Sequence, residues 1–144
     1  MDIRPWTYED IYSIAELEKQ CFSDPWSFQM LADSFFGENT LTAVAEREGK
    51  VEGYAFLVGV QGEADLANIA VSPSFRRRGA ANALLDYLEG EAKKRGTERI
   101  FLEVRVSNSP ALMLYLRHGF QGVYARSRYY ADGEDALVMW KELA

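Results

Sequence analysis

The segment of residues 66–85, LANIAVSPSFRRRGAANALL, constrains the fold more than any other part of the chain. It predicts an apolar strand, a Ser-Pro turn, three consecutive arginines, a glycine and then an amphipathic helix. The first N–H groups of a helix have no partner within the helix, so such a turn is suited to binding an anion. Gly79 lets a ligand approach the backbone closely, and the arginines add positive charge. The spacing Arg76-x-x-Gly79-x-Ala81 therefore indicates a candidate pyrophosphate site.

On charge alone, this turn has a simpler interpretation as a solvated arginine patch that caps an ordinary helix. It also differs from two better-known phosphate motifs. It lacks the three glycines of the GxGxxG dinucleotide fingerprint and the Gly-Lys-Ser/Thr ending of the Walker loop. A nucleotide-binding regulatory module would in addition need an acidic partner for the ribose at a fixed offset, and the sequence offers no such residue.

Length and composition predict one domain spanning residues 1–144, with enough apolar residues for a substantial core. The net charge of -6 argues against a general nucleic-acid-binding protein, which would carry a basic stripe. The single cysteine, Cys21, excludes an internal disulfide and a cysteine-rich metal site, and we expect no metal. No apolar run reaches the roughly 18 residues of a membrane span, and the N-terminus lacks a signal-peptide pattern. We therefore expect a cytoplasmic protein that binds neither nucleic acid nor membranes.

Hydrophobic periodicity and turn residues predict an α/β fold of the α+β type. The expected architecture is a mixed central sheet of about seven strands flanked by about four helices, with helices on both faces. The predicted strands are residues 1–5, 40–47, 51–60, 65–71, 100–106, 120–130 and 136–142, and the predicted helices are residues 7–22, 27–37, 79–95 and 110–119.

Two side chains are candidates for proton transfer. Glu103 interrupts an apolar strand, which is unusual where both faces of a sheet are covered. It can equally be an outward-facing carboxylate that pairs with Arg99 or Arg105. Tyr115 lies one helical turn after Ala111, where an aromatic residue in the core with a bonded hydroxyl is the commoner arrangement.

Two other reactive residues fit structural roles better. Cys21 is in helical phase with Ile14 and Leu17, so it is expected to be a small buried hydrophobic residue rather than a nucleophile. The only histidine, His118, lies at the end of a predicted helix, where a positive charge suits the helix dipole.

Four further segments carry a resemblance. Besides the arginine turn, these segments are NIAV at 68–71, LEVRVSN at 102–108, LYLRHGF at 114–120 and RYYADGEDALVM at 128–139. They resemble the GNAT superfamily of N-acetyltransferases and, within it, the RimI group of ribosomal-protein N-terminal alanine acetyltransferases. The similarity covers essentially the whole chain, and DPWS at 24–27 also fits this group. The resemblance implies a GNAT fold and acetyl-CoA as the cosubstrate.

The resemblance also implies how the cosubstrate binds. Its diphosphate would lie over the turn of residues 76–82, and its pantetheine arm would pair with the backbone of a strand. Glu103 would be the general base and Tyr115 the general acid of direct transfer, since an unperturbed tyrosine is acidic enough to protonate a thiolate. The implied cofactor-binding residues are Ile69, Ala70, Val71, Arg76, Arg77, Arg78, Gly79, Ala80, Ala81, Asn82 and Asn108.

The implied acceptor is the N-terminal alanine of a ribosomal protein tail, the eighteenth protein of the small subunit. Trp26 and Tyr130 would line its groove. The loop carboxylates of Asp24, Asp132, Glu134 and Asp135 would attract a basic tail, unless they are merely solvated. Two residues depart from the family pattern, since Ala81 replaces a frequent glycine and Asp24 replaces an apolar residue. Three alternatives stay open: acetylation of a lysine side chain, acetylation of a small-molecule amine, and a non-catalytic acyl-CoA-binding module.

Overall fold

A computed structural model describes residues 1–143 of the chain. It contains one seven-stranded sheet with the strand order β1-β2-β3-β4-β5-β7-β6. The strands are β1 (Asp2–Arg4), β2 (Thr40–Arg47), β3 (Lys50–Val58), β4 (Glu63–Val71), β5 (Arg99–Arg105), β6 (Gln121–Arg126) and β7 (Ala136–Glu142). The helices are α1 (Asp10–Cys21), α2 (Phe28–Phe35), α3 (Ala80–Lys94) and α4 (Ser109–Arg117), and a short 3-10 turn spans Pro73–Phe75. The predicted element order and mixed sheet are confirmed.

The pairing of β4 with β5 opens the sheet. All other neighbouring strands pair in antiparallel fashion, whereas β4 and β5 are parallel. Their ladder joins only residues 63–65 to residues 99–101. Beyond this point the strands separate, so the backbone edge of the second half of β4 faces a gap instead of a neighbouring strand.

The two faces of the sheet carry separate cores. On one face, α3 buries apolar side chains that recur at helical spacing, namely Leu84, Leu85, Leu88 and Ala92. On the other face, α1 and α2 bury Ile11, Ile14 and Leu31 against Trp6, Tyr54 and Phe56. Burial of each large apolar side chain contributes about 1.5–3 kcal/mol, so these two layers hold the helices against the sheet.

Helix starts follow their capping residues. The Ser27 side chain accepts a hydrogen bond from the Met30 N–H at 3.2 Å and caps α2, as predicted. α1 begins at Asp10, later than the predicted start at Thr7. The Asp10 carboxylate accepts from the Thr7 N–H at 2.7 Å, while the N-cap residue Glu9 makes no side-chain capping hydrogen bond. Among residues 1–143, no helix combines the length and the apolarity needed to cross a membrane.

Two strands end at least two residues earlier than the sequence predicted. β3 stops at Val58 because Gly59 has a left-handed backbone with φ of 68°. β6 was expected to reach Tyr130 but stops at Arg126. Arg128 has φ of 52°, and its N–H donates to the Asp135 carboxylate at 2.9 Å, which turns the chain into a loop. Tyr130 therefore lies on the β6–β7 loop and not on a strand.

Candidate active site

A cleft of about 960 Å³ lies where β4 and β5 separate. Its walls come from the edge of β4, the N-terminus of α3, the end of β5, the start of α4, the α1–α2 connection and the β6–β7 loop. Of the predicted site residues, all except Arg78 line it: Trp26, Ile69, Ala70, Val71, Arg76, Arg77, Gly79, Ala80, Ala81, Asn82, Glu103, Asn108, Tyr115 and Tyr130. The fold thus brings together residues that are far apart in sequence.

A bulge shapes the β4 wall. Phe56 of β3 pairs with Asn68, but the next residue, Leu57, pairs with Leu66, so Ala67 is an extra residue in β4. The bulge lies just before residues 69–71, which form the β4 edge along the cleft. A bulge bends a strand and so turns this edge relative to β5.

The start of α3 has the geometry of an anion site. Gly79 precedes the helix with φ of 81°, a left-handed conformation that glycine adopts without strain. The first hydrogen bond of the helix runs from the Ala83 N–H to the Gly79 carbonyl at 3.0 Å. The N–H groups of residues 80–82 therefore have no partner within the helix. These residues line the cleft at the positive end of the helix dipole.

The three arginines of this turn differ in their surroundings. Arg76 lines the cleft, and its Nε donates to the Val71 carbonyl at 3.2 Å. Arg77 also lines the cleft and has φ of 65°, an uncommon conformation for a non-glycine residue. Arg78 lies outside the lining residues, with its guanidinium 5.4 Å from the centroid of the Phe75 ring.

Glu103 lies at the point where the strands separate. It is partly buried on the face of β5 opposite to Leu102 and Val104, which are in the core. Burial raises the pKa of Glu103 above its usual value, as does the nearby charge of Asp65, while Arg126 acts in the opposite direction. The Nε of Arg126 lies 4.0 Å from Glu103 Oε1. A raised pKa moves a carboxylate toward the range in which a general base works well at neutral pH.

The pairing that the sequence offered as an alternative for Glu103 is not the one that the structure shows. Arg99 pairs with Glu63 at 3.0 Å and with Glu142 at 2.9 Å. Arg105 pairs with Asp132 at 2.8 Å and with Glu134 at 3.0 Å. Both predicted partners thus bind other carboxylates.

Tyr115 is buried and yet lines the cleft. Only 7% of the residue is exposed, and its ring meets Phe120 edge-on at a centroid distance of 5.8 Å. Burial raises the pKa of Tyr115 above its usual value, and Tyr130 adds to this shift. The phenol therefore keeps its proton throughout the neutral range, but it is a weaker acid than the unperturbed tyrosine from which the role of general acid was expected.

Asn108 and Trp26 combine structural contacts with positions in the cleft. The Asn108 side chain caps α4 by accepting from the Ala111 N–H at 3.2 Å. The Trp26 ring packs edge-on against Phe56 at 5.1 Å, and its backbone N–H donates to the Glu18 carboxylate at 2.7 Å. Both residues thus have fixed positions in the cleft wall.

Arg105 organises the β6–β7 loop, and sequence reasoning missed this role. Besides its ion pairs with Asp132 and Glu134, its guanidinium lies 4.1 Å from the centroid of the Tyr130 ring. A longer contact of 3.9 Å joins it to Asp24 on the α1–α2 connection. Arg105 therefore lies between the two loops that flank the cleft and holds Tyr130 in place.

Cys21 is more accessible than its helical phase predicted. It is the last residue of α1, is only partly buried and lines the cleft. Its Sγ lies 3.7 Å from Arg76 Nη2 and 3.8 Å from the Val71 carbonyl. The prediction of a buried side chain was wrong because α1 ends at the rim of the cleft, where the core no longer covers its face.

One group of potential metal ligands lies elsewhere. Asp86, Glu89 and His118 bring ligand-type atoms together at the end of α4, as His118 Nε2 is 3.0 Å from Asp86 and Nδ1 is 2.7 Å from Glu89. The ammonium of Lys141 is 2.6 Å from Glu89 and already neutralises that carboxylate. The arrangement is therefore explained as an ion-pair network between α3, α4 and β7.

Comparisons with known proteins agree with this geometry. Residues 11–120 match the family described as Acetyltransferase (GNAT) family. The chain is 38% identical over 133 residues to the ribosomal protein bS18-alanine N-acetyltransferase of Escherichia coli (strain K12), a match that covers 90% of this chain and 89% of that protein. It is 37% identical over 136 residues to the protein of the same name from Salmonella typhimurium (strain LT2), with 90% and 89% covered.

A solved structure extends the likeness to three dimensions. The crystal structure of the ribosomal-protein-S18-alanine N-acetyltransferase from Escherichia coli matches with a TM-score of 0.91 and 36% identity, and the match covers 99% of this chain and 94% of that one. The resemblance noted from the motifs is confirmed, and the chain belongs to the GNAT family of acetyl-CoA-dependent N-acetyltransferases.

Proposed function

We propose that this chain transfers the acetyl group of acetyl-CoA directly to the N-terminal α-amino group of a ribosomal protein that begins with alanine, as the names of its relatives state for bS18. The observation that carries the proposal is the cleft at the β4–β5 separation. There the turn before α3, the β4 edge that has no neighbouring strand, Glu103 and Tyr115 face one space.

The proposed cosubstrate site has two parts. The diphosphate would receive the N–H groups of residues 80–82 and the positive charge of Arg76 and Arg77. The pantetheine amides would pair with the backbone of residues 69–71 in the place of a missing strand. Asn108, at the start of α4, would contact the arm near the sulfur.

The chemistry needs one base and one acid. Glu103 takes a proton from the acceptor ammonium, directly or through a water molecule, and the nitrogen lone pair then attacks the thioester carbonyl. The C–N bond forms and the C–S bond breaks, and the thiolate takes the proton of the Tyr115 hydroxyl. The nitrogen loses its second proton to solvent as it becomes an amide, and the tyrosinate takes a proton from solvent. A peptide α-amino group has a pKa near 8, so it loses its proton more readily than a lysine with a pKa near 10. The raised pKa of Glu103 supports its role as the base.

The proposed acceptor groove lies between Trp26 and the loop that carries Tyr130. The Asp24 side chain is 59% exposed and lies 3.9 Å from Arg105, the longest of that guanidinium's three ion pairs, so it keeps more of its charge to attract a basic tail. Asp132 and Glu134 already pair with Arg105, so their charge is partly neutralised. Asp135 accepts a hydrogen bond from the Arg128 N–H, so the attraction that we expected from four loop carboxylates depends mainly on Asp24 and Asp135.

Two matched peptides test the acceptor. One begins with a free alanine and carries lysines and arginines, and the other is identical except that its N-terminus is blocked. After incubation with acetyl-CoA, mass spectrometry should find acetyl only on the α-amino group of the first peptide. Comparable acetylation of the blocked peptide would replace the proposal with a lysine acetyltransferase. Binding of acetyl-CoA with no transfer to either peptide or to a panel of small amines would instead identify an acyl-CoA-binding module.

A further inference from the structure

Glu18 is an acidic residue on the face of α1 that packs against the sheet, and its carboxylate is buried. None of it is exposed, and it continues the apolar stripe that Ile11 and Ile14 begin. Burial of a carboxylate costs free energy unless hydrogen bonds replace its water. Burial raises the pKa of Glu18, and its hydrogen bonds act in the opposite direction. The proposed chemistry does not use Glu18, so the burial of this carboxylate needs another explanation.

Three donors from three different elements meet this carboxylate. Its Oε2 accepts from the hydroxyl of Tyr54 on β3 and from Asn68 Nδ2 on β4, the latter at 2.7 Å. Its Oε1 accepts from the Trp26 backbone N–H, on the α1–α2 connection, at 2.7 Å. Since all three partners donate, they suit the ionised carboxylate, which only accepts.

The hydrogen bond from Asn68 connects Glu18 to the cleft. Asn68 follows the bulged residue Ala67, and its Oδ1 accepts from the Ile69 N–H at 3.1 Å. Glu18 fixes which way this amide points, because only Nδ2 can donate to the carboxylate. The chain of bonds from Glu18 through Asn68 therefore ends at the β4 edge.

The hydrogen bond from Trp26 connects Glu18 to the wall of the cleft opposite β4. Trp26 lines the cleft and sits on a connection between two helices, where the Glu18 bond anchors its backbone. One carboxylate thus links the wall that carries Trp26 to the β4 edge that carries Ile69. The distance between these walls limits how an acceptor amine can approach the acetyl carbonyl.

We propose that Glu18 is a positioning residue that sets the spacing of the acceptor site by holding Trp26 and the Asn68–Ile69 segment in register. This proposal rests on the proposed function for the identity of the acceptor. Glu18 does not line the cleft. Cosubstrate binding depends mainly on the turn before α3 and only in part on residues 69–71, so we expect the larger effect of Glu18 on acceptor use.

The test compares Glu18→Gln with Tyr54→Phe. A glutamine has one acceptor oxygen and one NH₂ group, so it cannot satisfy both the Trp26 N–H and Asn68 Nδ2. One wall is therefore released in either orientation. Tyr54→Phe removes a donor to the same carboxylate but keeps both wall contacts, and it is the matched control for a loss of stability.

We expect Glu18→Gln to lower kcat/KM for the free N-terminal alanine peptide by roughly tenfold to 100-fold, mostly through a higher peptide KM. The Kd of CoA, measured by calorimetry, should change less than about twofold, and Tyr54→Phe should lower Tm without this change in KM.

Equal loss of peptide kcat/KM in both variants, or no loss in Glu18→Gln, overturns the proposal. Should Glu18→Gln not fold, Asn68→Ala must show the same direction of effect, and an unchanged peptide KM overturns it. Wild-type protein that fails to acetylate the peptide contradicts the proposed function instead, which keeps the two failures distinct.

Discussion

Asp65 and Phe101 are the last residues that pair between β4 and β5, although β4 continues to Val71 and β5 to Arg105. The short parallel ladder decides where the cleft lies. Glu103 comes two residues after the last pair, so it lies at the inner end of the gap, where the β4 edge has no neighbouring strand. A longer ladder would close the space in which we propose that acetyl transfer occurs.

We expect Glu103→Gln to lower kcat by about 10²-fold or more, because the variant keeps the shape of the side chain but cannot accept a proton. CoA affinity should stay nearly unchanged, since Glu103 lies away from the turn before α3. Steady-state kinetics and calorimetry measure the two quantities. Glu63→Gln is the control, because Glu63 pairs with Arg99 outside the cleft. Full turnover of the Glu103 variant from pH 6 to 9 would remove this residue from the mechanism.

The charges around Glu103 predict opposite shifts of the pH profile. Activity needs the deprotonated carboxylate, so kcat/KM should rise with pH through the pKa of Glu103, which lies above the usual glutamate value. Asp65 raises this pKa and Arg126 lowers it. Asp65→Asn should therefore move the acid limb to lower pH, and Arg126→Gln should move it to higher pH. All pH profiles are measured with the same peptide, so that ionisation of its α-amino group affects each profile equally. Shifts of the same sign would show that Glu103 does not control the limb.

Much of this fold follows from local patterns in the sequence. The apolar spacing of Leu84, Leu85 and Leu88 predicted the buried face of α3, and Ser27 predicted the start of α2. Gly79 indicated the turn before α3, and the left-handed backbone found there explains why glycine suits the position. Each of these signals depends on neighbouring residues alone, which explains why a single sequence reveals it.

The remainder depends on contacts between distant residues. The ladder between β4 and β5 could not be predicted to stop at Asp65, because helices and loops packed at its end decide the length of pairing. Arg105 finds its partners more than twenty residues away, on the β6–β7 loop. Glu18 did leave a signal, since an acidic residue in the apolar stripe of a helix indicates a buried polar contact.

We expect Tyr115→Phe to lower kcat by roughly 10²-fold, because the thiolate then leaves without a proton from the protein. Phenylalanine keeps the ring that packs against Phe120, so Tm should change little. The measurement is kcat together with the Kd of CoA, which should not change. Tyr87→Phe, on α3 and outside the cleft lining, is the control and should retain wild-type turnover. Equal kcat for both variants would show that the Tyr115 hydroxyl has no part in the reaction.

We expect Asp24→Asn to lower kcat/KM for a peptide with a basic tail by a few-fold at low salt, and less as salt rises, because an exposed charge acts over a distance that salt screens. For a peptide with an alanine N-terminus and a neutral tail, the same substitution should have little effect. Asp33→Asn is the control, since Asp33 is exposed on α2 and bonds Gln29. Salt dependence that does not differ between the wild type and Asp24→Asn would exclude steering by this carboxylate.

The turn before α3 allows a test that separates charge from backbone strain. Gly79 has φ of 81°, and a Cβ at this position meets no atom within 4 Å, so a short side chain has room to project into the cleft. Aspartate and asparagine have the same shape and tolerate the left-handed region to a similar extent, so the strain is common to both. Only aspartate places a negative charge where we propose that the diphosphate lies. We expect calorimetry to show a loss of CoA affinity in Gly79→Asp that exceeds the loss in Gly79→Asn by at least about tenfold, with the difference shrinking as salt rises. Equal affinities in the two variants would mean that the diphosphate binds away from the N-terminus of α3.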